Sequence, residues 1–178
     1  MNIGAKRREV AALSFNSQGT LLVTLCQDFE QHIQVYDWRV GTMIREGPGG
    51  AKIECLMFNP FSASAFASCG EKHLKFWELG DADLEMAAGL FGDLGEPINI
   101  YSITFHPRGL TISGTINGDI YVWSNGTVTA KIAGAHKGKV LGLLYVPDVA
   151  LFSSGEGGEI KMWDPNLSDT KRPLGIVD

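Results

Sequence analysis

Cysteine is scarce in this sequence: Cys26, Cys55 and Cys69 are the only three, and they form no CxxC pair. Any disulfide scheme leaves one over, which suits a reducing compartment, and the three are read as buried structural thiols. Long apolar runs are also missing. The most apolar stretch, 140–152, is interrupted by Gly142, Pro147 and Asp148 and falls short of the roughly 20 residues a membrane-spanning helix needs. Lys6, Arg7 and Arg8 precede only the brief apolar run 10–15, too short for a signal-peptide core. The chain is therefore read as soluble, with no membrane partner and no support for secretion. Positive charge is in deficit, with 15 Lys and Arg against 20 Asp and Glu and a net charge of −5. That balance offers no general attraction to nucleic acid or anionic lipid. The catalytic inventory is thin as well: there are no paired carboxylates, no Ser-His-Asp spacing, no GxxxxGK and no histidine–cysteine cluster. His32, His73, His106 and His136 are spread one per segment of the chain, so no enzyme activity, cofactor or metal is expected.

What the sequence has in excess is glycine, 22 of 178 residues, about 12% against a usual share of roughly 7%. The glycines are scattered, which implies many tight turns, and the 44% hydrophobic content suffices for a sizeable core. No segment shows a helical period. The four tryptophans, Trp38, Trp77, Trp123 and Trp163, are separated by 39, 46 and 40 residues, a spacing that signals an internal repeat. Each closes a strand-like run: HIQVYDW, HLKFW, DIYVW and EIKMW. Upstream, Phe15, Phe58, Phe105 and Tyr145 each close an apolar strand, and LLVTL, SAFAS, LTISG and ALFSS lie between. A fourth strand follows at 42–45, 128–132 and 173–177. In DIYVW, Ile120 and Val122 alternate with Tyr121 and Trp123, so both faces of that strand are apolar and both must be covered. A sheet buried on both faces in a repeat of about 40 residues is satisfied by stacking on copies of itself. The fold class read from this is all-β: four-stranded antiparallel β-propeller blades, with approximate boundaries 9–46, 51–92, 98–133 and 138–178. The tryptophans and the four aromatics are assigned to the core. Four units are fewer than the seven or so that blades of this size usually need to close, so further blades or other chains are expected to complete the ring.

The tryptophan strands resemble WD40 repeats. Trp163-Asp164 matches the Trp-Asp pair, and Ala135-His136 stands where that family has Gly-His. The resemblance implies a buried hydrogen-bonded set made of His136, Ser153 and Trp163; its aspartate position holds Gly157 here, and Asn117 and Glu71 in the preceding units. Three strings are more specific: VYDWRVGTMI (35–44), CGEKHLKFWEL (69–79), and SGTINGDIYVW (113–123) followed by IAGAHKG (132–138), with GLFG (89–92) between the last two. Together they resemble the echinoderm microtubule-associated protein-like family from about Val10 to Asp164.

That resemblance implies a non-catalytic protein-interaction platform with tubulin or the microtubule as partner, in the cytoplasm and cytoskeleton, a cilium being one site of action. The alternative is a WD-repeat scaffold for a non-cytoskeletal complex. Bulk charge opposes acidic tubulin tails, so contact should use a local basic patch, for which Lys72, Lys75, Arg108, Lys137 and Lys139 are the candidates. His73 and Phe91 are added, the first as a rim residue beside Glu71 and Lys72. Phe91 lies in the irregular segment 80–97, whose apolar tip either packs over its own fold or meets a partner.

Overall fold

The computed structural model describes residues 8–167 and 173–177; Lys6 and Arg7, and part of the last predicted repeat, lie outside the described residues. Every long element among them is a strand. The chain forms two compact units, residues 1–88 and 89–178, each holding two four-stranded antiparallel sheets. Sheet one is built from β1 (Val10–Phe15), β2 (Leu21–Cys26), β3 (Ile33–Asp37) and β4 (Thr42–Gly47). Sheet two has β5 (Ile53–Phe58), β6 (Ala65–Gly70), β7 (His73–Leu79) and β8 (Leu84–Ala88). In the second unit, sheet three has β9 (Ile100–His106), β10 (Leu110–Thr115), β11 (Ile120–Ser124) and β12 (Thr127–Ile132). Sheet four has β13 (Val140–Val146), β14 (Ala150–Gly155), β15 (Ile160–Trp163) and β16 (Gly175–Val177). Spatial order equals chain order in every sheet, so each is a simple meander.

Local chemistry sets the turns. Asn16 Oδ1 accepts the N–H groups of Thr20 and Leu21 at 2.8 and 3.0 Å, closing the β1–β2 turn as an Asx motif. The β10–β11 turn needs glycine at 118, where φ is +88° and an added Cβ would stand 2.0 Å from the His136 carbonyl oxygen. A bulge recurs at one place in all four first strands, between Val10 and Ala12, Ile53 and Cys55, Ile100 and Ser102, and Val140 and Gly142. Such repetition of an irregular feature marks copies of one unit. β8 falls inside the segment that periodicity reads as irregular, yet it pairs with β7 from Lys75↔Ala88 to Leu79↔Leu84. Its residues after Leu84 are exposed, and without a buried face the sequence carries no period-2 signal.

Within each unit the two sheets pack face to face. Val23, Leu25, Ile33 and Val35 of sheet one share a core with Ile53, Leu56, Phe58, Phe66 and Trp77 of sheet two. Ile112, Ile120 and Ile132 of sheet three share one with Val140, Leu151 and Trp163 of sheet four. A hydrogen bond repeats at each junction: the Phe58 N–H donates to Ser14 Oγ at 3.0 Å, and the Tyr145 N–H donates to Thr104 Oγ1 at 3.3 Å.

The core assignment needs two corrections. Register puts Trp77 opposite Phe66, Trp123 opposite Thr111 and Trp163 opposite Leu151. The corresponding residue in sheet one is Tyr36, opposite Leu22 and buried. Trp38 lies two residues later, beyond the end of β3, is 39% exposed, and donates from Nε1 to the Gly19 carbonyl at 2.9 Å. Phe15 holds the same register place as Phe58, but it is 49% exposed against 2% for Phe58 and packs edge-on to Trp38 at 5.9 Å. Phe58 lies on the face of sheet two that meets sheet one, whereas among the described residues of the first unit no sheet covers the corresponding face of sheet one.

Candidate functional site

The most regular polar feature is a tie between the second and third strands of a sheet. Trp77 Nε1 donates to Ser68 Oγ at 2.9 Å, Trp123 to Ser113 at 2.8 Å and Trp163 to Ser153 at 2.7 Å, all buried. Thr24 stands at the serine position of sheet one, where Tyr36 supplies no indole, and its hydroxyl has no partner among the described residues. In sheet four the tie gains a third member, because His136 Nε2 lies 2.7 Å from Ser153 Oγ. The structure thus brings His136, Ser153 and Trp163 together. Ser153 Oγ thus links the indole and imidazole rings, and the imidazole turns its Nδ1 away from the tie. That Nδ1 is buried with no hydrogen-bond partner among the described residues, 3.9 Å from Glu159 Oε2. Burial, followed by the nearby Lys161 cation, lowers the pKa of His136, with Glu159 opposing.

A residue outside the sequence-based candidates does comparable work in sheet three. Asp119 is buried, accepts the Gly134 N–H at 2.8 Å and pairs with Lys131 Nζ at 2.7 Å, fastening the β12–β13 loop to the β10–β11 turn. Its signal is the NGD string, which turn geometry already accounts for. Among the described residues no three His, Cys, Asp or Glu side chains converge as metal ligands.

The fold treats the candidate contact residues of each unit differently. In the first unit Lys72 is exposed in the β6–β7 turn with φ +56°. Lys75 is half-buried and donates to the Gly49 carbonyl at 2.5 Å, and its burial lowers the ammonium pKa. Its cation is committed to the fold, because its place opposite Ser68 aims the side chain along the packed face. His73 is half-buried, with Nδ1 3.1 Å from the Glu71 carbonyl and burial lowering its pKa. In the second unit Lys137 is exposed, while Lys139 is held by Glu156 at 3.4 Å and lies over the Tyr101 ring. Arg108 sits in the β9–β10 turn and donates to Asn166 Oδ1 at 2.9 Å. That turn is at the opposite end of the strands from Lys137, whose loop is tied to the β10–β11 turn through His136 N–H and the Gly118 carbonyl. Phe91 packs inside its own unit, 5.2 Å from Trp123 and 6.3 Å from Tyr121. Beside it, Leu90 exchanges backbone hydrogen bonds with Gly126 and Val128 next to β12.

One exposed aromatic has no signal in the sequence. Phe29 is 100% exposed at the tip of the β2–β3 loop, on the same end of the first unit as Lys72. The end is continuous, since Gly50 N–H donates to the Glu30 carbonyl and Glu71 N–H to the Lys52 carbonyl, at 3.0 and 2.9 Å. A run as short as QDFEQ carries no pattern that separates a buried phenylalanine from a solvated one.

Comparison with known proteins adds context to this geometry. Residues 1–175 match the family described as echinoderm microtubule-associated protein first beta-propeller. The human echinoderm microtubule-associated protein-like 2 is 27% identical over 174 residues, 94% of this chain and 27% of that protein. The human echinoderm microtubule-associated protein-like 1 is 28% identical over 179 residues, 97% of this chain and 22% of that protein. The 77 kDa echinoderm microtubule-associated protein of Strongylocentrotus purpuratus is 26% identical over 177 residues, 96% and 26% of the two chains. The chain thus spans about a quarter of the length of these curated relatives. Among solved structures, the beta-propeller domain of Myceliophteria thermophila Cps50 (Swd1) superposes with a TM-score of 0.77 at 16% identity, over 92% of this chain and 55% of that one. This likeness establishes the fold: the four sheets are β-propeller blades.

Proposed function

Because this chain belongs to the family of the echinoderm microtubule-associated protein first beta-propeller, we propose that it is a non-catalytic protein-interaction platform whose partner is tubulin or the microtubule. Its setting is the cytoplasm and cytoskeleton, and a cilium is the specialised case. The observation that carries this reading is the family match across residues 1–175. Blade architecture by itself specifies no partner.

The contact set follows from which side chains the fold leaves available. Lys72 and Phe29 share one end of the first unit, and Lys137 projects from the second; Arg108, Lys139 and His73 are secondary, and Lys75 is withdrawn. An exposed aromatic and a lysine at one end of a unit supply apolar area and local positive charge, which a chain of net −5 needs against an acidic surface.

Further blades complete the assembly. The face of sheet four bearing Leu144, Phe152 and Ile160 is open, with Leu144 60% exposed. The corresponding residues of sheets one and three, Val23 with Ile33 and Ile112 with Ile120, are covered by the sheet that follows each. A four-stranded blade is therefore the occupant that fits.

Co-sedimentation with taxane-stabilised microtubules tests the partner. Weak enrichment in the pellet is expected, reduced by combined Phe29→Ala, Lys72→Glu and Lys137→Glu and only modestly weakened by salt. No enrichment at tubulin concentrations well above physiological would overturn this reading in favour of a scaffold for a non-cytoskeletal complex.

A further inference from the structure

We propose that Cys55 and Cys69 form a redox-modification site, oxidised by a peroxide to a reversible disulfide between β5 and β6. The two are direct register partners, Cys55↔Cys69, in an antiparallel pair. Residues so placed have Cα atoms about 4.5–5.5 Å apart, inside the roughly 4.4–6.8 Å that a disulfide spans. The bulge between Ile53 and Cys55 lies immediately before the pair, at a point where added twist re-aims the side chain that follows.

Access separates the roles of the two sulfurs. Cys55 is half-buried whereas Cys69 is fully buried, and burial pushes the Cys69 thiol well up. Cys55 is therefore the sulfur that meets the oxidant. Its thiolate attacks one peroxide oxygen, the O–O bond breaks, and the products are a Cys55 sulfenic acid and one water after the displaced oxygen takes up protons. Cys69 Sγ then attacks Cys55 Sγ, the S–O bond breaks, and the Cys69 proton leaves with the hydroxide as a second water. Two thiols lose two electrons and two hydrogens, and one peroxide is reduced to two waters.

The half-buried Cys55 leaves the bond within reach of a reducing thiol, which places it among the exposed, readily reduced disulfides. Cys26 is excluded, since it lies in sheet one opposite Val10 and donates to Gln34 Oε1 at 3.4 Å.

The test is peroxide treatment of the full chain, followed by intact-mass and non-reducing peptide analysis. The expected product has lost the mass of two hydrogens, links only the Cys55 and Cys69 peptides, and is restored by dithiothreitol. Cys26→Ser should behave identically. Cys69→Ser should stop at the sulfenic acid, trapped by dimedone on Cys55, and Cys55→Ser should resist oxidation. Oxygen added to Cys55 with the two peptides unlinked would overturn the proposal. So would a linkage that includes Cys26, or the same mixture of linkages from native and urea-unfolded protein.

Discussion

The Ser153 hydroxyl lies 2.7 Å from both Trp163 Nε1 and His136 Nε2, so one buried oxygen serves two ring nitrogens from two different segments. Ser153→Ala should therefore strand two groups, at about 1–3 kcal/mol each. Ser68→Ala, which strands only the Trp77 indole, should cost about half as much. Urea unfolding monitored by tryptophan fluorescence measures both, and equal losses would show that the histidine contributes nothing to the tie.

The two tryptophans of the first unit should separate cleanly. Trp77 is buried and stacked on Phe66 at 5.9 Å with planes 7° apart, so Trp77→Ala should cost about 3–5 kcal/mol. Trp38→Ala removes a part-exposed ring, its edge contact with Phe15 and one hydrogen bond, and should cost about 1 kcal/mol. Thermal midpoints of the two variants decide the matter.

Acid should destabilise the protein in two stages. His73 and His136 both have pKa values lowered from 6.5, chiefly by burial. The fold therefore accommodates the neutral rings, and their contribution is complete above pH 6.5 and lost as pH falls through the lower folded values. Asp28 is held below 3.8, chiefly by the His32 N–H, and Glu46 below 4.5, chiefly by Gln34 and then Arg8. These carboxylates contribute above their unfolded values and cease to do so as pH falls through the folded ones. Urea midpoints should decline first just below about pH 6.5 and again below about pH 4.5. His73→Gln should shrink the first decline and spare the second.

Glycine replacements should rank by space as well as by backbone angle. Gly109 has φ +77° and open space on the side where a side chain would project, so Gly109→Ala should cost about 1 kcal/mol from strain alone. Gly118→Ala meets the same strain and also drives a carbon into the His136 carbonyl, so it should cost well over about 2 kcal/mol. Comparable denaturation midpoints would contradict the close approach of the β12–β13 loop to the β10–β11 turn.

Much of the fold was legible because repetition is a one-dimensional signal. The spacing of Trp77, Trp123 and Trp163, the serines of the middle strands and the aromatic closing each first strand are composition at a fixed period, and they identify four-stranded units that stack. The place of Trp38 was illegible. Two residues of offset within VYDW are invisible to a period near 40, and only pairing with β2 shows that Tyr36 stands in the tryptophan register.

The candidate site divides along the same line. The likeness to WD40 repeats, carried by Trp163-Asp164 and Ala135-His136, implied that His136, Ser153 and Trp163 share a hydrogen-bonded set, because residue type and spacing are properties of the sequence. Tertiary structure alone decided that Lys75 is spent on the Gly49 carbonyl, that Phe29 is bare, and that Cys55 faces Cys69. Availability to a partner or an oxidant depends on what lies across the strand or over the loop, and those neighbours are distant in sequence.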